Sequence, residues 1–174
     1  MVTFDEARQI HHTLSLNVTP DLCDINGHLT VRHQLGIHDD AAWDLLDSLG
    51  MGQAGIADGA SFFDLEQHLR YLSESRSGDH LTVHHRVLDV STSTVHLMSY
   101  LVLAERAAIV STFECLILAV DLATRGPRRF STSDLQRLVG RVQADRSLSW
   151  DPGACGAMGV RKSALAERLS GDSP

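Results

Sequence analysis

The sequence has no excess of basic residues: 15 Lys and Arg stand against 22 Asp and Glu, which gives a formal net charge of −7. A protein that binds nucleic acid through its phosphates needs a basic face, so the composition argues against that class. The chain also has no apolar run long enough to cross a bilayer, and its charged first residues do not have the pattern of a signal peptide. We therefore expect neither a nucleic acid nor a membrane as a partner.

The sequence also lacks a disulfide framework and a local metal-binding motif. Its three cysteines, Cys23, Cys115 and Cys155, are odd in number and form no CxxC pair, which predicts free thiols in a reducing compartment and hence a cytoplasmic protein. Among the ten histidines, the neighbours His11-His12 and His84-His85 would point in opposite directions on a strand. The sequence therefore predicts no metal site.

What the sequence does contain is a series of strands interrupted by one long helix. Residues 13–19 alternate between apolar and polar side chains, which predicts a first strand. An amphipathic segment after residue 30 then predicts a helix that ends near Gly50. Four longer strands follow, at residues 61–74, 80–90, 94–104 and 107–122, and the short turns between them favour antiparallel pairing.

This order of elements predicts an α+β protein with a hotdog fold, a curved antiparallel sheet wrapped around one long central helix. Residues 1–125 would form the hotdog domain. Residues 126–174 would add a helix that begins near Ser131 and an extended tail, both packed on the same domain. One helix cannot cover both faces and the edges of a long sheet, so we expect a homodimer or a dimer of dimers.

The stretch between the first strand and the helix holds the residues with chemical potential. Within five positions it contains the carboxylate of Asp24, the amide of Asn26, a glycine at Gly27 and the imidazole of His28. A carboxylate just before a helix can act on a carbonyl group whose oxygen is held by the unpaired N–H groups of the helix. The alternative is structural: Asp24 or Asn26 caps the helix, and Gly27 makes the turn.

These residues carry a resemblance to a known family. The run Asp24-Ile25-Asn26-Gly27-His28-Leu29, with a helix that contains Asp39-Asp40-Ala41 and ends at Leu49-Gly50, is similar to the signature loop and helix of hotdog acyl-CoA thioesterases of the 4-hydroxybenzoyl-CoA thioesterase type. Within that family the pattern most resembles the branch of betainyl-CoA thioesterases and of thioesterase domains fused to carnitine dehydrogenases. Further similar stretches lie at residues 62–72, 95–97, 113–118 and 120–125.

The resemblance implies a thioester hydrolase that releases a free acid and CoA from a small acyl-CoA, without a cofactor other than the CoA of the substrate. It implies that Asp24 is the nucleophile or the general base, and that N–H groups near Thr30 and Val31 hold the thioester oxygen. His28 and Glu66 are the other candidate catalytic residues. The candidate substrate-binding residues are Asn26, Gly27, Thr30, Val31 and Phe63.

Some residues depart from the family pattern. Thr30 stands where the family usually has Asn, and His33, Gln34 and His38 replace aromatic residues. A quaternary ammonium such as betaine is best bound by aromatic rings, so the sequence leaves the identity of the acyl group undecided. The Thr30 difference keeps a non-catalytic acyl-CoA-binding protein as an alternative. A hotdog dehydratase is a further one, because Gly27-His28 resembles a Gly-His pair of those enzymes, although the acidic residue that they need falls at about Ala42 here and the proline that follows their Gly-His-Phe is absent.

Four other charged residues are candidates for structural or binding roles. Asp39 falls on the apolar stripe of the predicted helix, where a carboxylate needs a partner, and we expect an ion pair with an arginine or a histidine. Arg70, Arg76 and Arg86 are candidates for contacts with the phosphates of CoA.

Overall fold

The computed structural model describes residues 1–165, and its central feature is a five-stranded antiparallel sheet with the strand order β1-β3-β4-β5-β2. One long helix, α2, packs on one face of this sheet, which confirms the predicted α+β architecture. The elements are α1 Phe4–Ala7, β1 His12–Asn17, α2 Val31–Ser48, α3 Gln53–Ala57, β2 Ala60–Tyr71, β3 His80–Val90, β4 Thr94–Leu103, β5 Ala108–Asp121 and α4 Thr132–Arg146.

Two short helices were not predicted, because each is too short to show a periodic pattern. Helix α1 begins with a capping box in which Thr3 and Glu6 hydrogen-bond each other's backbone N–H groups. Helix α3 lies in the glycine-containing segment between α2 and β2. The Gln53 N–H donates to Oδ1 of Asp47 at 2.9 Å, so a side chain of α2 holds the start of α3.

Helix α2 is joined to the sheet by apolar packing. Its inward residues meet alternate residues of β3, β4 and β5, as the period of a strand requires. The buried helix residues are Ile37, Ala41, Ala42, Leu45 and Leu46. Burying one leucine side chain of this kind contributes about 1.5–3 kcal/mol. Among residues 1–165, neither α2 nor any other helix is long and apolar enough to cross a membrane.

A polar contact lies inside this apolar interface. His38 of α2 is fully buried, with Nδ1 2.7 Å from the Ser99 hydroxyl and Nε2 2.9 Å from the Ser111 hydroxyl. Its ring stacks on Phe113 at a centroid distance of 5.3 Å. A neutral imidazole has one donor and one acceptor nitrogen, so one serine accepts and the other donates. Burial lowers the pKa of His38 to about 3, which keeps the ring neutral.

The opposite face of the sheet is covered by the chain's own termini. After α4 the chain crosses this face, where Arg86 donates to the carbonyl oxygens of Trp150 at 2.7 Å and Leu148 at 3.0 Å. The Arg86 guanidinium also lies over the Trp150 ring, 4.4 Å from its centroid. The Tyr100 hydroxyl donates to the Pro152 carbonyl at 2.8 Å. The face of the sheet that α2 leaves open is therefore covered in part by the chain's own tail.

The start of the C-terminal region follows the sequence signal. The Ser131 hydroxyl accepts from the Asp134 N–H at 3.1 Å and begins α4. Near the end of α4, the Asp145 carboxylate accepts from the Val87 N–H of β3 at 2.7 Å and from Arg141 Nε at 2.7 Å. These contacts fix α4 to the sheet. The part of the expected tail after residue 165 lies outside the described residues.

We predict that the protein loses stability in mild acid and that His38 contributes to the loss. The folded pKa of His38 is about 3, against 6.5 for the free side chain, so the unfolded chain binds a proton in this range that the folded chain does not. The stabilisation is complete above pH 6.5 and is lost as pH falls, at about 1.4 kcal/mol per pH unit. Urea unfolding between pH 7 and pH 5 measures it.

The matched variants are His38→Gln, which keeps a donor and an acceptor but does not titrate, and His33→Gln, which changes a half-buried histidine in the first turn of the same helix. His38→Gln should flatten the pH dependence of the free energy of unfolding, and His33→Gln should leave it unchanged. Burial also lowers the pKa of His85, so some pH dependence remains in both variants. Identical slopes for the wild type and His38→Gln would contradict the prediction.

Candidate functional site

The loop before α2 is organised around the Asp24 carboxylate. Its Oδ1 accepts from the Asn26 N–H at 2.9 Å and from the His28 N–H at 3.0 Å. The Asp24 N–H donates to the His28 carbonyl at 2.8 Å, and the Gly27 N–H donates to the Asp24 carbonyl at 3.0 Å. Gly27 has a φ of +77°, a left-handed conformation that glycine adopts at little cost. The loop thus holds Asp24 in one orientation.

These hydrogen bonds also set the charge of Asp24. The N–H groups of His28 and Asn26 donate to the ionised carboxylate and lower its pKa below the ordinary aspartate value. Asp24 is therefore ionised at neutral pH. Its second oxygen accepts only a long hydrogen bond, 3.3 Å, from the Asn26 side chain. An ionised carboxylate with an oxygen open to solvent is able to act as a nucleophile or a base.

The first turn of α2 provides N–H groups beside this loop. Within residues 1–165, the N–H groups of Val31 and Arg32 donate no hydrogen bond. The Thr30 N–H was expected to be free, but it donates to the Leu22 carbonyl at 3.1 Å. The donors available to a ligand are therefore one residue further along than predicted.

The structural alternative, in which Asp24 or Asn26 caps the helix, is wrong. The N-cap residue is Thr30, and its side chain makes no capping hydrogen bond. In the described part of the chain, Thr30 Oγ1 and Gln34 Oε1 are buried atoms without a hydrogen-bond partner. Buried polar atoms are usually paired, so both atoms are available to a ligand or to water at the helix start.

A recess of about 320 Å³ opens between the start of α2 and the end of β2. Val31, which is 60% exposed, lies at this recess. The lining residues are His28, Leu29, Val31, Gln34, Tyr71, Leu72, Ser73, Glu74 and Ser75. The His28 imidazole is directed away from the Asp24 carboxylate, with Nε2 3.3 Å from Glu74 Oε2. The hydrogen bonds between His28 and Asp24 use backbone atoms of His28: its N–H donates to the Asp24 carboxylate, and its carbonyl accepts from the Asp24 N–H.

A bulge in β2 separates two acidic residues that the alternating pattern would place on one face. Asp64 pairs with the core-facing Ile117, whereas Glu66 pairs with Leu116, because the register shifts at Leu65. Glu66 therefore lies on the face away from α2, and one chain does not bring it to Asp24. Leu65, at the bulge itself, is 56% exposed.

A second cavity, of about 300 Å³, lies further along the groove between α2 and β2. The Trp43 and Phe62 rings meet edge to face there, 6.0 Å apart. Burial, and then the neighbouring charges of Asp64 and Asp40, raise the pKa of Asp39. The cavity is lined by Asp39, Ala42, Trp43, Leu46, Phe62, Phe63, Asp64 and Ile117.

This cavity is acidic and has no internal counter-charge. Within residues 1–165 neither Asp39 nor Asp64 belongs to an ion pair, so the expected partner of Asp39 is absent there. The sequence reasoning did not select Asp64 or Trp43 for the site. The spacing of Asp39 and Trp43, four residues apart on one helix face, was an available signal for Trp43, while Asp64 needed knowledge of the bulge.

The arginines take different roles. Arg86 holds the C-terminal tail through its backbone contacts and is buried, so its expected contact with CoA phosphates is wrong. Arg76 is exposed and lies 3.4 Å from Glu74. Arg70 is on the exposed edge strand β2.

Comparison with known proteins gives consistent results. The family model described as the thioesterase-like superfamily matches residues 18–152. An L-carnitine dehydrogenase/betainyl-CoA thioesterase of Ruegeria pomeroyi is 30% identical over 153 residues, which cover 87% of this chain and 30% of that protein. The chain thus spans about a third of the length of this relative. A betainyl-CoA thioesterase of Pseudomonas aeruginosa is 29% identical over 155 residues, covering 87% of this chain and 96% of the relative.

A solved structure shares the fold. A hypothetical protein of Staphylococcus aureus, solved in complex with CoA, superposes with a TM-score of 0.77 at 22% identity, and the alignment covers 87% of this chain and 96% of the other. The two proteins therefore share the fold over nearly the whole length of the Staphylococcus aureus protein.

Proposed function

The chain belongs to the thioesterase-like superfamily, and on that basis we propose that it hydrolyses small acyl-CoA thioesters to a free acid and CoA. One observation carries the proposal. An ionised Asp24, held in one orientation, lies in the loop just before α2, and the N–H groups of Val31 and Arg32 at the start of that helix are free. The names of the relatives from Ruegeria pomeroyi and Pseudomonas aeruginosa support the same reaction.

The proposed mechanism uses the recess at the helix start. The thioester oxygen accepts hydrogen bonds from the free N–H groups of α2, whose dipole favours the negative charge that develops there. Asp24 then follows one of two routes. It attacks the carbonyl carbon, expelling CoA thiolate and forming an anhydride that water opens, or it takes a proton from the water that attacks. The Thr30 hydroxyl and the Gln34 amide oxygen are the polar groups left to position this water or the substrate.

We propose that two copies of the chain pair through β2 as a dimer. This strand is an edge of the sheet, and its residues Phe63, Leu65 and Tyr71 are exposed, as is Val31 in the recess at its end. An exposed apolar edge strand is a pairing site for another strand. Because the β2 edge is used within this dimer, a dimer of dimers would need a second surface.

An antiparallel β2–β2 contact would bring the two cavities of the groove together across subunits. Phe62, at the start of β2, lines the acidic cavity, and Tyr71, at its end, lines the recess. In one chain, Asp39 lies eight residues beyond Val31, about 12 Å along the helix, which is too far for one small acyl group. In an antiparallel pair, the start of one β2 lies beside the end of the other, so the acidic cavity of one subunit faces the recess of its partner.

We propose that the acyl group carries a positive charge, as in betainyl-CoA. The cavity combines two carboxylates that form no ion pair within residues 1–165, Asp39 and Asp64, with the aromatic rings of Trp43 and Phe62. Aromatic faces and carboxylates both favour a quaternary ammonium group. Phe63 lines the same cavity and already has the Arg125 guanidinium over its ring, 5.0 Å from the centroid. These aromatics replace those that the family usually has on the helix.

The remaining parts of the proposal follow from the same geometry. The reaction as written needs no cofactor, because Asp24, water and the helix N–H groups supply every step.

Arg70 and Arg76 are the arginines left for the phosphates of CoA, since both lie near the exposed edge. The cysteines Cys23 and Cys115 are free, as is Cys155, which supports a location in the reducing cytoplasm.

The first prediction concerns Asp24. Asp24→Asn keeps the oxygen that accepts from the Asn26 and His28 N–H groups but removes the charge, so the melting temperature should change little. If Asp24 is the nucleophile or base, kcat for acyl-CoA hydrolysis should fall about a hundredfold or more. Thiol release over a panel of acyl-CoAs measures this.

Asp21→Asn is the matched control for Asp24, because it removes an exposed carboxylate from the same loop region; its kcat should equal that of the wild type. Near-normal turnover by Asp24→Asn would remove Asp24 from the chemistry. If the wild type releases no thiol from any acyl-CoA but still binds one, the protein is an acyl-CoA-binding module instead.

A second prediction concerns the charge of the acyl group. Asp39→Asn should raise KM for betainyl-CoA about tenfold, equal to about 1.4 kcal/mol of lost attraction. KM for tert-butylacetyl-CoA, which has the same shape without the charge, should not change. Steady-state kinetics with both substrates give the comparison.

The controls for Asp39 are Asp40→Asn, on the exposed side of the same helix, and Glu66→Gln, on the other face of the sheet. Neither variant should alter the ratio of the two KM values. A selective effect of Glu66→Gln, with none from Asp39→Asn, would move the cation site from the cavity to Glu66.

A third prediction tests the shared site. Asp24→Asn and Asp39→Asn subunits, refolded together, form mixed dimers in which one composite site has both aspartates. At low betainyl-CoA the mixture should recover about a quarter of wild-type activity, the fraction expected from random pairing of subunits. Each variant refolded alone is the control. No recovery, with mixed dimers confirmed by two different affinity tags, one on each variant, would place the whole site in one chain.

A further inference from the structure

A cluster of three possible metal ligands lies on the sheet face opposite α2, away from the loop of Asp24. His68 of β2 and Glu114 of β5 are directly opposite each other in the strand register. Cys155, from the C-terminal tail, lies over the same place. The ligand atoms of these three side chains lie within 4.8 Å of one another.

The centre of this cluster is a buried carboxylate. Glu114 is fully buried, and in the described part of the chain its one candidate ion-pair partner is His96, with no arginine or lysine beside it. Its Oε1 is 2.9 Å from His96 Nε2, and its Oε2 accepts from the Cys155 N–H at 2.6 Å. A buried anion is costly unless positive charge or hydrogen bonds compensate it, so a cation is favoured beside Glu114.

The groups around Glu114 resemble those that orient the ligands of a metal site. Ligating carboxylates are usually hydrogen-bonded by neighbouring groups, which orient them, and His96 has this relation to Glu114. The Ala157 N–H donates to Cys155 Sγ at 3.4 Å, a contact that stabilises a thiolate. His68 and Cys155 are both exposed, so an ion can reach the site from solvent.

We propose that His68, Glu114 and Cys155 bind one Zn²⁺ ion. Zinc takes nitrogen, oxygen and sulfur ligands in a tetrahedral arrangement, and two anionic ligands with a neutral imidazole balance its charge. The Cys155 thiol releases its proton to solvent as the sulfur–zinc bond forms. Water takes the fourth position on the exposed side.

The geometry requires a small closure of the site. Ligands of a tetrahedral zinc ion lie about 3.5 Å apart, so the most distant pair in the cluster must approach by about 1 Å. His68 and Cys155 have room for this movement because both are exposed, while Glu114 stays fixed.

A zinc ion at this position would join three segments that are distant in sequence. It would fasten the tail to the edge strand β2 and to β5, close to where Arg86 and Tyr100 hold the preceding part of the tail. The role is structural, because the whole thickness of the sheet separates the ion from Asp24.

The test uses the full-length protein after removal of metal with a chelator. Titration with Co²⁺ should show one ion per chain and a thiolate-to-cobalt charge-transfer absorption. Competition with a chromophoric chelator should give a Zn²⁺ affinity that falls at least tenfold in Cys155→Ser and in His68→Asn. Saturating Zn²⁺ should raise the melting temperature of the wild type but not that of Cys155→Ser.

The matched controls are Cys23→Ser and His33→Asn, which remove a thiol and an imidazole elsewhere. Both should keep the wild-type affinity and cobalt spectrum. Absence of binding to the wild type would overturn the proposal. So would binding that is unchanged in Cys155→Ser and His68→Asn, since the ion would then occupy another site.

Discussion

The packing of α2 against the antiparallel sheet is the constraint on which the rest of the structure depends. Apolar residues along one side of the helix provide most of the contact, and His38 adds a polar contact at its centre through Ser99 and Ser111. The two serine hydroxyls satisfy both nitrogens of the neutral His38 imidazole. Because the serines belong to β4 and β5, the helix has one favoured position relative to these strands. The position of its first turn, and therefore of its free N–H groups, follows from this packing.

The Asp24 loop depends on that helix position. Its hydrogen bonds are nearly all local, within residues 24–28, but the Leu29 N–H donates to Ser75 at 2.8 Å and the Thr30 N–H to Leu22 at 3.1 Å. These two bonds connect the loop to the segment after β2 and to the turn after β1. An ionised carboxylate is thereby kept beside a helix start, an arrangement suited to stabilising negative charge on an oxygen.

The C-terminal tail explains why the outer face of the sheet does not need another copy of the chain. Aromatic residues, a buried arginine and the cluster around Glu114 hold it in place. Among residues 1–165, the edge strand β2 exposes three large apolar residues, Phe63, Leu65 and Tyr71. This exposed edge favours the proposed pairing through β2, which would place the acidic cavity of one subunit beside the helix start of the other.

The sequence by itself determined the order of the five strands, the long helix α2 and the start of α4, and it pointed to Asp24 as a candidate, because local periodicity and a short run of residues carry those signals. Tertiary structure decided the rest. The bulge at Leu65 turned Glu66 away from α2 and Asp64 toward it, and a hydrogen bond to Leu22 removed Thr30 as a free donor. The clusters around Asp39 and Glu114 combine residues from separate segments, and no local pattern encodes their distances, since these depend on strand register and on the path of the tail.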